Sequence, residues 1–369
     1  MHSIRPVLFC LAIFLMLTPG SSAQPAPVRL GVVGLVHGHV NGFLNSALKR
    51  NDIQIVGIAE ANTSVAEGYR NRYHLEPGLF YQKLEAMLDA QRPEAVVVYT
   101  STWDHRAAVE ACARRGIHVM MEKPLAVNLE HAQAIARAAR DGKIHVLVNF
   151  ETTWYPSNQA AWKMAHEDSF GEIRKMVAHD GHRGPKEIGV QPEFLAWLTD
   201  PVLDGGGALM DFGCYGANLM TWLMDNQRPL SVTAITQQIK PQIYPRVDDE
   251  ATIILTYPRA TGIIQASWNW PFDRKDLEVY GRTGSALTVR RDGVRLRVGD
   301  KPEEQLTAEP LASPADDPIR YLAAVVRGQI QPAGLSSLEN NLIVAEILEA
   351  ASRSAKSGQT VRLSAGGLH

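Results

Sequence analysis

Several short stretches of this sequence carry residue types able to do chemistry. Glu122-Lys123-Pro124 follows an apolar run, and a lysine at a strand end can exchange a proton with a substrate oxygen if desolvation lowers its pKa. Pro124 would fix the turn that aims it. Asp211 and Tyr215 stand four apart, a spacing that predicts carboxylate and phenol on one face of a helix. Gly205, Gly206 and Gly207 precede them and predict room for a ligand near that helix's N-terminus. Lysine, carboxylate and phenol converging on one hydroxyl could take its proton while hydride leaves the carbon.

A second constellation is the run Gly31-Val-Val-Gly34-Leu-Val36-His37-Gly38-His39. A glycine-bearing turn between a first strand and a first helix is where a dinucleotide pyrophosphate binds, on backbone N–H groups and the helix N-terminus. The expected contacts are Gly34, Val36, His37 and Gly38. The spacing is imperfect, because Val36 holds the second glycine position. Glu60 closes the next strand, where a carboxylate accepts hydrogen bonds from ribose hydroxyls. It would repel a 2′-phosphate, and no arginine follows at once, so NAD is favoured over NADP. His37 and His39 read as a local variant of the loop in preference to phosphate or substrate contacts. They are not read as metal ligands, because no carboxylate or further histidine sits at convincing spacing.

The elements that must position these residues can be read in order. Residues 28–33, 53–59, 95–100, 118–122 and 144–150 are short apolar runs, mostly separated by helix-length segments, and predict buried strands of a parallel sheet. Asn128 is a candidate N-cap for the helix that ends at Asp141-Gly142. The expectation is an α/β fold: an N-terminal dinucleotide-binding domain over 24–150, then an α+β domain over 151–369 with a largely antiparallel open sheet. Strands of the latter are predicted at 173–179, 230–238, 251–257, 262–270, 276–280 and 286–290, with closing helices at 317–327 and 337–356. Within it, His179, His182, Arg183 and Lys186 lie in or near one loop and could grip a substrate. Trp268 and Trp270, two apart on a predicted strand, would share a face and could stack on a sugar ring.

Composition excludes other classes. The 369 residues carry 37 basic and 39 acidic side chains, so net charge is −2 and nothing global attracts nucleic acid or an anionic membrane. Three cysteines exclude a disulfide scaffold. Val7–Leu17 is an apolar run of eleven residues, followed by Thr18-Pro19-Gly20 and Ser21-Ser22-Ala23. Eleven residues fall short of the roughly 20 that span a bilayer. The segment 1–23 therefore reads as a cleavable signal peptide, and the protein as periplasmic or secreted, with no membrane association after cleavage. The remaining Cys112 and Cys214 are expected as buried free thiols.

Taken together, the glycine turn, Glu60, Ser101-Thr102-Trp103-Asp104-His105, Glu122-Lys123-Pro124 and Gly-Gly-Gly-x-x-x-Asp211-x-Gly-x-Tyr215 resemble the glucose–fructose oxidoreductase / inositol dehydrogenase (Gfo/Idh/MocA) family. So does the closing segment from Ser336 to Gly358. The resemblance implies a Rossmann domain plus a second domain with an open sheet, commonly paired into homo-oligomers, and sugar or polyol substrates. It implies catalytic roles for Lys123, Asp211 and Tyr215, and cofactor contacts at Ser101, Thr102, His105, Glu122 and Lys123. His182 and Arg183 of the loop named above, with Trp154, are the candidate substrate contacts. Thr153 stands where many members have arginine before the aromatic-Pro segment.

The expected function is an exported NAD-dependent oxidoreductase moving hydride between a sugar or polyol carbon and nicotinamide. Two alternatives stay open. One is a redox-neutral enzyme with tightly bound NAD, cleaving a glycoside or performing an internal oxidation–reduction. The other is a non-catalytic sugar-binding protein on the same scaffold.

Overall fold

A computed structural model of the chain describes residues 26–167 and 169–363; the expected signal peptide lies outside the described residues. The first domain has β1 (Val28–Val33), β2 (Ile53–Ala59), β3 (Phe80–Tyr81), β4 (Ala95–Val98), β5 (His118–Glu122) and β6 (Val146–Asn149). They form a parallel sheet in the order β3-β2-β1-β4-β5-β6. Helices α1 (Val40–Ala47), α2 (Thr63–Tyr73), α3 (Leu84–Gln91), α4 (His105–Ala113) and α5 (Leu129–Gly142) connect the strands. Asn128 caps α5, its side chain accepting the His131 N–H at 2.8 Å. Carboxyl ends of β1, β4 and β5 point the same way, so the glycine turn, residues 99–105 and Glu122-Lys123 share one edge of the sheet.

The second domain runs α6 (Pro156–His166), β7 (Ile173–Gly181), α7 (Pro192–Leu198), α8 (Ala208–Asp211), α9 (Gly213–Leu223), β8 (Ser231–Gln237), β9 (Glu250–Thr256), β10 (Thr261–Ser267), β11 (Arg274–Gly281), β12 (Gly284–Val289), β13 (Gly293–Val298) and β14 (Glu304–Thr307). It closes with α10 (Pro318–Val326), α11 (Leu338–Ser357) and β15 (Val361–Arg362). Its nine-stranded sheet has the order β14-β13-β12-β11-β7-β10-β9-β8-β15, and only the β7–β10 pair is parallel. β13, β14 and β15 extend the predicted strands; all three are half exposed, with too few apolar residues to signal burial.

Two packings tie the halves to the site. Helix α10, from the second half of the chain, buries Ile319, Leu322 and Val325 with Leu30, Val97 and Met120 of the first sheet. Helix α9 lies close on the second sheet because Gly216 faces it: a Cβ there would stand 2.7 Å from Ile264 and 2.9 Å from Ala178. Gly216→Ala should therefore push α9 off the sheet and cost about 1–3 kcal/mol, read as a lowered denaturant midpoint beside the wild type.

Candidate active site

Lys123 extends from the end of β5 into the gap between the domains and meets α8. Its ammonium donates to the Asp211 carboxylate and, at 3.1 Å, to the Asp211 carbonyl. The second carboxylate oxygen accepts the Trp268 indole N–H at 2.9 Å. The ring centroids of Tyr215 and Phe212 lie 5.3 and 5.8 Å from the ammonium, within cation–π reach. Burial alone would drive the lysine neutral and the aspartate protonated. Their mutual attraction outweighs it, so Lys123 titrates above the ordinary lysine value and Asp211 below the ordinary carboxylate range. The sequence expectation of a lysine lowered by desolvation is thus corrected: the pair is ionic. The Tyr215 phenol is pushed well up by burial, with Glu151 adding to the effect.

The chain places this group differently from the expected single helix face. The helix breaks at Phe212, so Asp211 ends α8 and Tyr215 opens α9. Two of the three glycines, Gly205 and Gly207, make room for the protein's own backbone. A Cβ at Gly205 would meet the Val127 carbonyl at 2.6 Å, and one at Gly207 the Asp248 carbonyl at 2.0 Å. Residues 101–105 brace the site from the first domain. Thr102 donates to the buried Asp204 at 3.3 Å, and Ser101 donates to Asp104 at 2.7 Å. Burial, reinforced by Asp211, keeps the Asp204 carboxyl protonated far above its ordinary range. The His105 ring donates from Nδ1 to the Pro124 and Leu125 carbonyls, at 3.1 and 3.3 Å. Its side chain positions the turn after Lys123, where a cofactor contact was expected.

In the glycine turn, Gly34 has φ +78° and its Cβ would stand 2.6 Å from Thr100, so only glycine fits. The two Glu60 oxygens accept the Leu35 and Asn62 N–H groups at 2.7 and 2.8 Å, which ties the turn to the end of β2. The His37 N–H donates to the Tyr99 carbonyl, at 3.1 Å, and the His39 N–H to His37 Nδ1, at 3.2 Å. Among the described residues the Val36 and Gly38 N–H groups have no partner. Helix α7 roofs the turn: the Trp197 indole donates to the Val36 carbonyl at 3.2 Å, and the Phe194 ring lies 4.5 Å from that of His37.

Next to the turn, a cavity of about 440 Å³ opens between α1 and α10 over the ends of β4 and β5. His39, Phe43, Glu122, Asn149, Trp154 and Ile319 are among its lining residues. Glu122 is turned away from Lys123: it meets His39 Nδ1 at 3.1 Å and accepts from Asn149 at 3.3 Å. The fold thereby supplies the carboxylate that sequence spacing did not offer His37 and His39, from 83 residues along the chain. Trp154 donates to Asn149 at 2.9 Å. His182 packs edge-on against Phe212 at 4.8 Å, beside the ion pair, whereas the Arg183 side chain is exposed.

Known proteins share this fold. A model of the oxidoreductase family with an NAD-binding Rossmann fold matches residues 28–150, and one of the GFO/IDH/MocA C-terminal domain matches 158–287. The chain belongs to the GFO/IDH/MocA oxidoreductase family. Trans-1,2-dihydrobenzene-1,2-diol dehydrogenase of Macaca fuscata fuscata is 25% identical over 233 residues, 63% of this chain and 65% of that enzyme, just under two thirds of its length. Aldose-aldose oxidoreductase from Caulobacter crescentus superposes with a TM-score of 0.78 at 21% identity, over 91% of this chain and all of that one. An inositol dehydrogenase homologue from Azotobacter vinelandii, solved with NAD⁺, gives 0.79 at 20% identity, over 92% of this chain and 98% of that one.

The cofactor of this GFO/IDH/MocA chain is NAD, and its residues fit the group. Two N–H groups of the turn have no partner among the described residues, and Glu60 has lone pairs left for ribose hydroxyls. Sequence reasoning missed Trp268 as the aspartate's partner. The strand stops at Ser267, so Trp268 and Trp270 do not share a pleat: Trp268 turns inward to Asp211, while Trp270 stacks on Arg274 at 4.5 Å. It also missed Lys275, whose ammonium reaches Glu151 at 2.7 Å and lies 5.6 Å from the Tyr215 ring, closing the site from the second domain.

The His105 support has a pH signature. Burial holds its imidazole down at about 4 from the ordinary 6.5, although the Leu125 carbonyl and Glu122 oppose the shift. As pH falls below 6.5 the unfolded chain takes up this proton first, so a contribution of about 3 kcal/mol present above 6.5 is lost by about pH 4. Denaturant midpoints measured from pH 7 to 4 should fall through that window, and His105→Asn should flatten the fall.

Proposed function

We propose that this protein is an NAD-dependent oxidoreductase acting on a secondary hydroxyl of a sugar or polyol. The observation that carries the reading is the buried Lys123–Asp211 ion pair, set against Tyr215 at the carboxyl edge of the Rossmann sheet. NAD, when bound, supplies or accepts the hydride. Lys123, held as an ammonium, donates to the substrate oxygen and stabilises the negative charge that grows there as a carbonyl is reduced. Asp211 keeps that ammonium charged and aimed, and Trp268 holds the far carboxylate oxygen. In the oxidative direction the pair must first hold one proton fewer, so that the lysine can accept from the hydroxyl. Tyr215 and His182 flank the same oxygen, and the Glu151–Lys275 bridge must part to admit a substrate. The relatives named as dehydrogenating a diol or binding NAD support this class of substrate.

A second reading keeps NAD bound through a redox-neutral cycle. It is favoured by the α7 roof, whose Trp197 and Phe194 contacts cover the glycine turn and must open before the cofactor can exchange. Mass spectrometry of nucleotide released from denatured, purified protein, with turnover of aldoses and polyols with and without added NAD, tests both. Dependence on added NAD supports the first reading; bound NAD with turnover in its absence supports the second. Sugar binding without any NAD binding overturns both and leaves a binding protein. Lys123→Met should lower kcat at least about 10²-fold and leave NAD affinity within twofold, measured by calorimetry.

We also propose export, from the apolar run Val7–Leu17 and the small residues Ser21-Ser22-Ala23 after it, and pairing of two copies through the outer face of the second sheet. There Ile235 and Ile254 are exposed on neighbouring strands. N-terminal sequencing of the cell-fractionated protein should begin at Gln24, and light scattering should give at least twice the chain mass. Retention of Met1 or a monomeric mass would reject the respective proposal.

A further inference from the structure

We propose that His37, His39 and Glu122 bind one divalent transition-metal ion of the zinc class. The three donor atoms, His37 Nε2, His39 Nδ1 and Glu122 Oε2, all lie within 4.8 Å of one another. Glu122 Oε2 is 3.1 Å from the His39 nitrogen and 3.9 Å from that of His37. Tetrahedral zinc at about 2.0–2.2 Å from nitrogen and oxygen spaces its ligand atoms about 3.3–3.6 Å apart. The two spacings to Glu122 bracket that value, and the two imidazole nitrogens lie within 4.8 Å of each other, so side-chain adjustments seat the ion.

Three further features point to a ligand. His37 is 1% exposed, and its Nε2 has no hydrogen-bond partner although it is buried and faces the Glu122 carboxylate. Such an atom is costly to leave unpaired. Its ring is fixed by Phe194 and Trp197, at 4.5 and 5.5 Å between centroids. Glu122 is oriented by a second layer of bonds: Asn149 donates to its other oxygen, and Trp154 donates to Asn149. His39 is half exposed and, with Glu122, lines the 440 Å³ cavity. Three protein ligands with an open side is the pattern of catalytic rather than structural zinc sites. Two imidazoles and one carboxylate favour Zn²⁺, Co²⁺ or Ni²⁺ over Mg²⁺ and Ca²⁺.

The His37 proton needs accounting. The His39 N–H leans on His37 Nδ1, which places the ring's own proton on Nε2 in the metal-free protein. Metal binding at Nε2 moves that proton to Nδ1 and opens the 3.2 Å contact, with no net change in the charge of the ring. The site therefore binds more weakly than one whose tautomer is already set. The nearby Lys123 charge is neutralised by Asp211 and does not repel the ion as a free ammonium would.

The test uses untagged, full-length protein treated with chelator and dialysed. Zn²⁺ is titrated by calorimetry and Co²⁺ by its visible d–d absorption. The expected result is one equivalent per chain, with Mg²⁺ giving none. His39→Ala, at a half-exposed position that leaves the fold intact, and Glu122→Gln should each weaken Zn²⁺ binding about 10–100-fold. Zn²⁺ should raise the thermal midpoint of the wild type and leave that of His39→Ala unmoved. Substoichiometric binding, or equal affinity in wild type and His39→Ala, overturns the proposal and leaves only a His39–Glu122 ion pair.

Discussion

The structure depends on one interaction, the ion pair between Lys123 of the first domain and Asp211 of the second. Both side chains are almost wholly out of water, where an isolated charge is prohibitive and a paired one is tolerable only if its remaining donors and acceptors are met. Trp268 meets the free carboxylate oxygen, the Asp211 carbonyl takes a further lysine proton, and two aromatic faces take the rest. Removing either partner would strand a buried charge, a loss of about 3–5 kcal/mol. The domains are thus held in register by the same bond that sets the charge of the reacting group. Neighbouring polar groups comply: burial pushes the Asp204 carboxyl well above the usual carboxylate range, which weakens it as a competing anion.

Much of this was legible in the residues. The alternation of apolar runs with helical stretches marks the parallel sheet, because both faces of its strands are buried. The same runs locate the strand ends, and with them the glycine turn, Glu60 and Lys123. Asp211 and Tyr215 were legible as partners of the lysine through their spacing and glycine context. What escaped depends on direction or on distant chain. The sense of Trp268 follows from where β10 stops, which a two-residue alternation cannot report. The glycine triplet looks the same whether it admits a ligand or the carbonyls of Val127 and Asp248. Glu122 meets His39 only because β5 and β1 bring their carboxyl ends to one edge.

The glycine turn shows how a family scaffold can be retuned by its own side chains. Glu60, the Tyr99 carbonyl and the His37 ring each occupy an N–H group of the turn, which leaves those of Val36 and Gly38 without a partner among the described residues. Net charge offers no compensation, since the chain is slightly acidic. A pyrophosphate bound here would be recognised locally, by a few oriented dipoles under the cover of α7.

Helix α10 gives the molecule a particular order of assembly. The first sheet is built from residues 28–149, yet the apolar side chains that seal it beside α1, Ile319, Leu322 and Val325, are synthesised near the end. A nascent chain that has emerged only through β6 has all six strands but an uncovered apolar flank, and the wall of the cavity over β4 and β5 is still missing. That cavity is therefore among the last parts of the molecule to close, complete only once the residues of α10 have been made.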